Sequence, residues 1–185
     1  MSRKFFPWIL FPDQEVSRVT DIDFRSLRNS GKEAIIFDLD NTIARWGEGS
    51  VDQCVIELLS DIEDLGFKIG ILSNGKRKNI ESFVDKLPFP CQFNAQKPRR
   101  KYFRDLLNRM DVSPEKSVMI GDQLLTDVLG ANRTSMYSIR VDPMEEGREY
   151  KFTKINRVGE KLLFSLRNLF RKIRDFRYSL TYKED

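Results

Sequence analysis

The stretch Ala34-Ile35-Ile36-Phe37-Asp38-Leu39-Asp40-Asn41-Thr42 decides how this chain folds. Four apolar residues stand in a row and end in an acid. An uninterrupted apolar run is what a strand needs when both of its faces are covered, as in a parallel sheet. Comparable runs recur downstream at Lys68-Ile69-Gly70-Ile71-Leu72, Ser117-Val118-Met119-Ile120-Gly121 and 136–141, with a shorter one at 91–94. The intervals read as helices. Val51, Val55, Leu58, Leu59, Ile62 and Leu65 recur at helical spacing and stop at Gly66. Further helices are expected over 77–87, 99–110 and 124–132. This alternation predicts an α/β, Rossmann-like core with a parallel sheet of about five strands and helices on both faces.

Polar motifs sit at or just after four of these strands. They are Asp38-Leu39-Asp40-Asn41-Thr42, Ser73-Asn74, Lys97-Pro98, and Gly121-Asp122 with Asp127 five residues on. Ligands of open α/β sheets bind outside the carboxyl ends of the strands, so the four motifs can share one pocket. Asp38, Asp40, Asp122 and Asp127 would repel one another there and raise each other's pKa. A divalent cation relieves that, and all-oxygen ligands favour Mg²⁺ over zinc or copper. With Lys97, Ser73 and helix-start N–H groups added, the mixture suits a phosphoryl group in a negatively charged transition state. Asp38 is then the nucleophile that forms an aspartyl-phosphate. Asp40, two residues on and on the same side, is the acid and base. Lys97 offsets phosphoryl charge, and Asp122 holds the metal with Asp38 and the carbonyl of Asp40. Asp127 either joins the metal or braces Lys97.

Composition narrows the field. At 185 residues with 40% hydrophobic and 32% charged content, one soluble domain is expected over 1–185. Its parts are an aromatic segment at 1–30, a catalytic core at 31–145 and a basic helix at 150–178. Histidine is absent, which excludes imidazole-based triads and HExxH zinc chemistry. Cys54 and Cys91 lack CxxC spacing and read as reduced cytosolic thiols. No apolar run reaches membrane-spanning length. The opening Phe5-Phe6-Pro7-Trp8-Ile9-Leu10-Phe11-Pro12 is short, holds two prolines and is not expected to be a signal peptide.

The four motifs, in this order and spacing across residues 35–127, resemble those of the haloacid dehalogenase (HAD) phosphatases. The resemblance implies a nucleophile at Asp38 and an acid/base at Asp40. It implies phosphate binding by Thr42, Ser73, Asn74 and Lys97, and metal binding by Asp38, Asp122 and Asp127. The second aspartate of the first motif points to phosphatases rather than dehalogenases. Trp46, the run Gly121-Asp122-Gln123-Leu124-Leu125-Thr126-Asp127-Val128-Leu129-Gly130-Ala131-Asn132-Arg133, Phe11-Pro12-Asp13 and Asn156-Arg157 extend the likeness. They are similar to the YqeG-like group of HAD subfamily IIIA, which includes phosphatidylglycerophosphate phosphatases. Gly75-Lys76-Arg77 departs from the residues expected after the second motif.

Spacing bears on the substrate. About 30 residues separate Asp40 from Ser73 and 22 separate Asn74 from Lys97, too few for a cap domain. An open site suits a phosphate carried on something large. Lys76-Arg77-Lys78 and Arg99-Arg100-Lys101 flank the opening, and Arg99 and Arg100 are candidates for binding a second phosphate of the substrate. Residues 151–178 hold nine Lys/Arg and two acids, +7 in a chain of net +4. Ile155, Val158, Leu162, Leu166, Leu169, Ile173 and Phe176 make that segment amphipathic. It either packs on the core or docks on a membrane surface. The expected partner is therefore an anionic phospholipid at the cytoplasmic membrane face, ahead of nucleic acid, and the expected location is cytoplasmic and peripherally membrane-associated. The alternatives are a phosphatase of phosphoproteins or nucleic-acid ends, and a non-catalytic RNA- or ribosome-binding module.

Overall fold

The computed structural model describes residues 8–45, 52–75 and 88–144. Six parallel strands form one sheet in the order β1-β6-β5-β2-β3-β4. They are β1 Gln14–Val16, β2 Ala34–Phe37, β3 Lys68–Leu72, β4 Cys91–Gln92, β5 Ser117–Gly121 and β6 Tyr137–Val141. The helices are α1 Phe24–Asn29, α2 Gln53–Asp64, α3 Arg100–Met110 and α4 Leu129–Thr134. The central strand β2 lies between β5 and β3, with all four residues buried. It is there because Ala34, Ile35, Ile36 and Phe37 have apolar partners on both faces. Each large side chain so buried contributes roughly 1.5–3 kcal/mol.

Alternation along the strands splits the core in two. Ile35, Phe37, Ile69, Ile71, Val118 and Ile120 pack with α1 and α2. Ala34, Ile36, Leu72 and Met119 pack with α3 and Ala131 of α4. In α2 the buried positions Val55, Leu59 and Ile62 lie one turn apart, and Gly66 with φ +82° ends the helix region. In α3 Phe103, Leu106, Leu107 and Met110 form the inward stripe. Its last carbonyls are met by the Lys68 ammonium, 2.9 Å from Met110 O and 3.1 Å from Asp111 O.

Three details differ from the sequence expectation. A sixth strand, β1, adds to the sheet edge within the segment assigned to 1–30, and α1 follows it. Two side chains bind this segment. Asn132 Nδ2 donates to Ile9 O and Phe11 O, at 2.8 and 2.9 Å, and Ser138 Oγ donates to Asp13 Oδ2 at 3.0 Å. The strand expected over 91–94 is confined to Cys91–Gln92. The helix expected over 124–132 opens as a wider π turn at Leu124–Val128 before α4. The helix expected over 77–87, the basic helix at 150–178 and the Lys76-Arg77-Lys78 cluster lie outside the described residues. Cys54 and Cys91 carry thiols, as expected. No helix among the described residues is long and apolar enough to cross a membrane.

Candidate active site

Strand order creates the site. The chain moves from β2 outward through β3 and β4, then returns to β5 on the other side of β2. Loops leaving β2 therefore diverge from their neighbours and open a crevice at the carboxyl edge. Asp38 lies there, pinned by its N–H to Ile120 O at 2.8 Å. Residues 39–44 then turn tightly: the N–H groups of Ile43 and Ala44 both donate to Leu39 O, and Asn41 takes φ 64°. Leu39, Ile43 and Ala44 are buried and anchor the turn. The result presents Asp38, Asp40 and Thr42 on one short loop. The Thr42 hydroxyl is buried with no hydrogen-bond partner among the described residues.

Lys97 enters from beyond β4. Its ammonium is 2.5 Å from Asp38 Oδ1 and 2.6 Å from Asp127 Oδ1, and all three side chains are buried. Asn74 positions it: Lys97 N–H donates to Asn74 Oδ1 at 2.7 Å, and Asn74 Nδ2 donates to Lys97 O at 3.4 Å. Asn74, expected to bind phosphate, thus holds the backbone of Lys97 through both ends of its amide. Ser73 is fully buried; its hydroxyl lies 3.4 Å from Asp40 Oδ2 and accepts the Gly75 N–H at 2.9 Å. A methyl at Gly75 would stand 2.9 Å from Asp40 Oδ2, so glycine leaves the room Asp40 occupies. Likewise a methyl at Gly121 would stand 2.4 Å from Asp127 Cγ. Motif spacing alone did not reveal these two close approaches or the Asn74 clamp. Arg99 and Arg100 are exposed beside the site, and Arg99 donates to Gln96 Oε1 at 2.5 Å.

Asp38, Asp122 and Asp127 each bring one carboxylate oxygen within 4.8 Å of the others. Asp40 does not share that cluster. Asp127 braces Lys97, one of the two roles the sequence left open, and its carboxylate also lies in the acidic cluster. Its second oxygen accepts the Gln123 N–H at 3.1 Å. Electrostatics follow from this crowding. Burial, then the carboxylates of Asp127, Asp122 and Asp40, hold Asp38 well above the usual carboxylate range, with Lys97 working against them. Burial also raises Asp40, opposed by Lys97 and the Ser73 hydroxyl. Burial alone would lower Lys97; the carboxylates of Asp127 and Asp38 outweigh it and keep the ammonium charged. Four carboxylates face one ammonium, so a positive charge is wanted. The clustered donors are all carboxylate oxygens, which fits a hard divalent cation.

Comparisons with known proteins agree with this chemistry. Residues 94–146 match the family described as "HAD-hyrolase-like". The chain is a phosphatase of the HAD-like superfamily. It belongs to the family of the "Probable phosphatase YqeG" of Bacillus subtilis (strain 168), with 34% identity over 165 residues, 89% of this chain and 93% of that protein. The glyceraldehyde 3-phosphate phosphatase of Methanopyrus kandleri is 31% identical over 96 residues, 47% of this chain and 41% of that enzyme. Among solved structures, a HAD phosphatase from Thermococcus onnurineus aligns with a TM-score of 0.50 at 19% identity, over 65% of this chain and 90% of that one. The HAD-hydrolase YfnB of Bacillus subtilis, whose structure is bound to magnesium, aligns at 0.51 and 14% identity, over the same shares. Both likenesses concern the fold.

Proposed function

We propose that this chain is a Mg²⁺-dependent phosphomonoesterase that converts phosphatidylglycerophosphate to phosphatidylglycerol at a membrane surface. The observation that carries the hydrolytic part is the buried bridge of Lys97 between Asp38 and Asp127. It fixes the Asp38 carboxylate and keeps a positive charge beside it. An Asp38 oxygen attacks phosphorus while the bond to the leaving oxygen breaks and Asp40 gives that oxygen its proton. The raised pKa of Asp40 suits it to hold this proton. Asp40 then takes a proton from water as the water attacks the aspartyl-phosphate, releasing phosphate and free Asp38. Lys97 and the Thr42 and Ser73 hydroxyls hold phosphoryl oxygens, and Asn74 keeps Lys97 in register. Mg²⁺, held by Asp38, Asp122 and Asp127 with the backbone carbonyl of Asp40, would supply positive charge for those oxygens.

Sequence features support the lipid part. The short gaps after Asp40 and Asn74 suit a phosphate carried on a surface, and residues 151–178 combine an apolar stripe with nine basic residues. Phosphate release from phosphatidylglycerophosphate in mixed micelles tests the reading, run beside a soluble ester, with Mg²⁺, with chelator, and with Asp38→Asn. Fast release from the lipid that needs both Mg²⁺ and Asp38 is the expected result. Release from the soluble ester alone would discard the lipid and keep the chemistry.

A further inference from the structure

Helices α2 and α3, on opposite faces of the sheet, carry opposite net charge. On the α2 side Asp52, Glu57, Asp61, Glu63 and Asp64 are exposed, and residues 52–67 contain no Lys or Arg. On the other side Arg99, Arg100, Lys101, Arg104 and Arg133 are exposed. Their placement follows from the fold. The chain enters α3 from the Lys97 loop at the carboxyl edge of the sheet, so Arg99 to Lys101 stand beside the mouth of the site and Arg104 lies a turn away. Arg133, on the neighbouring α4, donates to Pro98 O at 3.5 Å and joins the same patch. Among the described residues, none of the five forms an ion pair.

From this asymmetry we infer that the face formed by the start of α3 and by α4 is a docking surface for an anionic lipid bilayer. The inference rests on the lipid reading of the site and names where the core itself meets the bilayer, apart from residues 151–178. Unpaired guanidinium and ammonium groups gain from lipid phosphates at almost any lateral spacing, because headgroups rearrange. The acidic face of α2 is repelled by the same surface, so α2 and α3 together orient the molecule. Nucleic acid fits less well. The aromatic ring on this stretch of α3, Tyr102, is half-buried with the Lys101 ammonium 5.8 Å from its centre, which makes it a poor stacking platform for bases.

Co-sedimentation of the full chain with vesicles tests this, using phosphatidylglycerol and phosphatidylcholine in equal parts against phosphatidylcholine alone. At roughly a fivefold loss for each basic residue neutralised near an anionic surface, Lys101→Gln/Arg104→Gln/Arg133→Gln lowers partitioning by about a hundredfold. The double variant Lys101→Gln/Arg104→Gln, which keeps the Arg133 bond, loses about 25-fold by the same reckoning. Soluble-ester hydrolysis stays at the wild-type rate in both, which reports an intact fold. Neutralising α2 with Glu57→Gln/Asp61→Asn/Glu63→Gln weakens nothing. Undiminished vesicle binding by the triple variant would overturn the inference, as would equal binding to neutral vesicles. So would a wild-type chain that ignores vesicles but binds an RNA oligonucleotide through these residues. Lipid hydrolysis is scored apart: docking without hydrolysis removes the substrate reading and leaves the surface, and hydrolysis in micelles without vesicle docking does the reverse.

Discussion

Lys97 and Asp40 respond to substitution in different ways. Lys97→Met keeps the length of the side chain and removes its charge, leaving Asp38 and Asp127 facing each other without the ammonium between them. Turnover of a soluble ester should fall by about 10²–10³, the usual cost of one lost charge-stabilising donor. Asp40→Asn should lower turnover by about 10²–10⁴ as the acid and base disappears. Its effect on stability has the opposite sign. The folded pKa of Asp40 lies above its ordinary value, so between the two the folded chain keeps a proton that the unfolded chain has released. Stability contributed at this position is therefore present at low pH and is lost as pH rises through the folded pKa. Asn cannot ionise. In metal-free protein, thermal melts should show Asp40→Asn more stable than wild type at neutral pH and equal to it near pH 3, below the ordinary value of 3.8.

Elements add constraints of shape. α4 crosses α3 where a methyl on Gly130 would lie 2.2 Å from the Phe103 ring. Gly130→Ala should cost about 1–3 kcal/mol by overpacking. For a chain of this size that lowers Tm by roughly 2–10 °C, readable by calorimetry. Elements also explain what the sequence could show. Strands β2, β3 and β5 were legible because Ala34–Phe37, Ile69–Leu72 and Val118–Ile120 are apolar runs with no other reading. Motifs at the ends of β2 and β5 exposed Asp38, Asp122 and Asp127, and the one beyond β4 exposed Lys97, since chemistry needs those types in that order. β1 was hidden: Gln14-Glu15-Val16 is a three-residue edge strand with one apolar residue, too short for its alternating burial to show as a period in the sequence. The Asn74 clamp on Lys97 and the Asn132 bonds to Ile9 and Phe11 were hidden too. They join residues 23, 123 and 121 positions apart through polar atoms, and such pairings leave no pattern in composition. The π turn at Leu124–Val128 reads as ordinary helix because it keeps the same apolar residues buried.

For the whole molecule, a cation that binds the folded form and not the unfolded chain raises stability by mass action. Mg²⁺ at a hundred times its dissociation constant should add about 2.7 kcal/mol. A rise in Tm with added Mg²⁺, abolished in Asp122→Asn, would tie that gain to the acidic cluster. The sheet itself has a consequence for solution behaviour. Its two outer strands are only three and two residues long, while β6, just inside one of them, has five. Val16 pairs with Val141 and Gln14 with Ile139, and the segment leading into β1 is tied down by Asn132. Cutting away residues 8–16 would strip that cover and leave Tyr137–Val141 as a bare ribbon of backbone donors and acceptors. Such a ribbon recruits its own kind. The trimmed chain should turn cloudy on standing at concentrations where the longer one stays clear, so a tag or truncation at this end governs whether the protein can be kept in a tube.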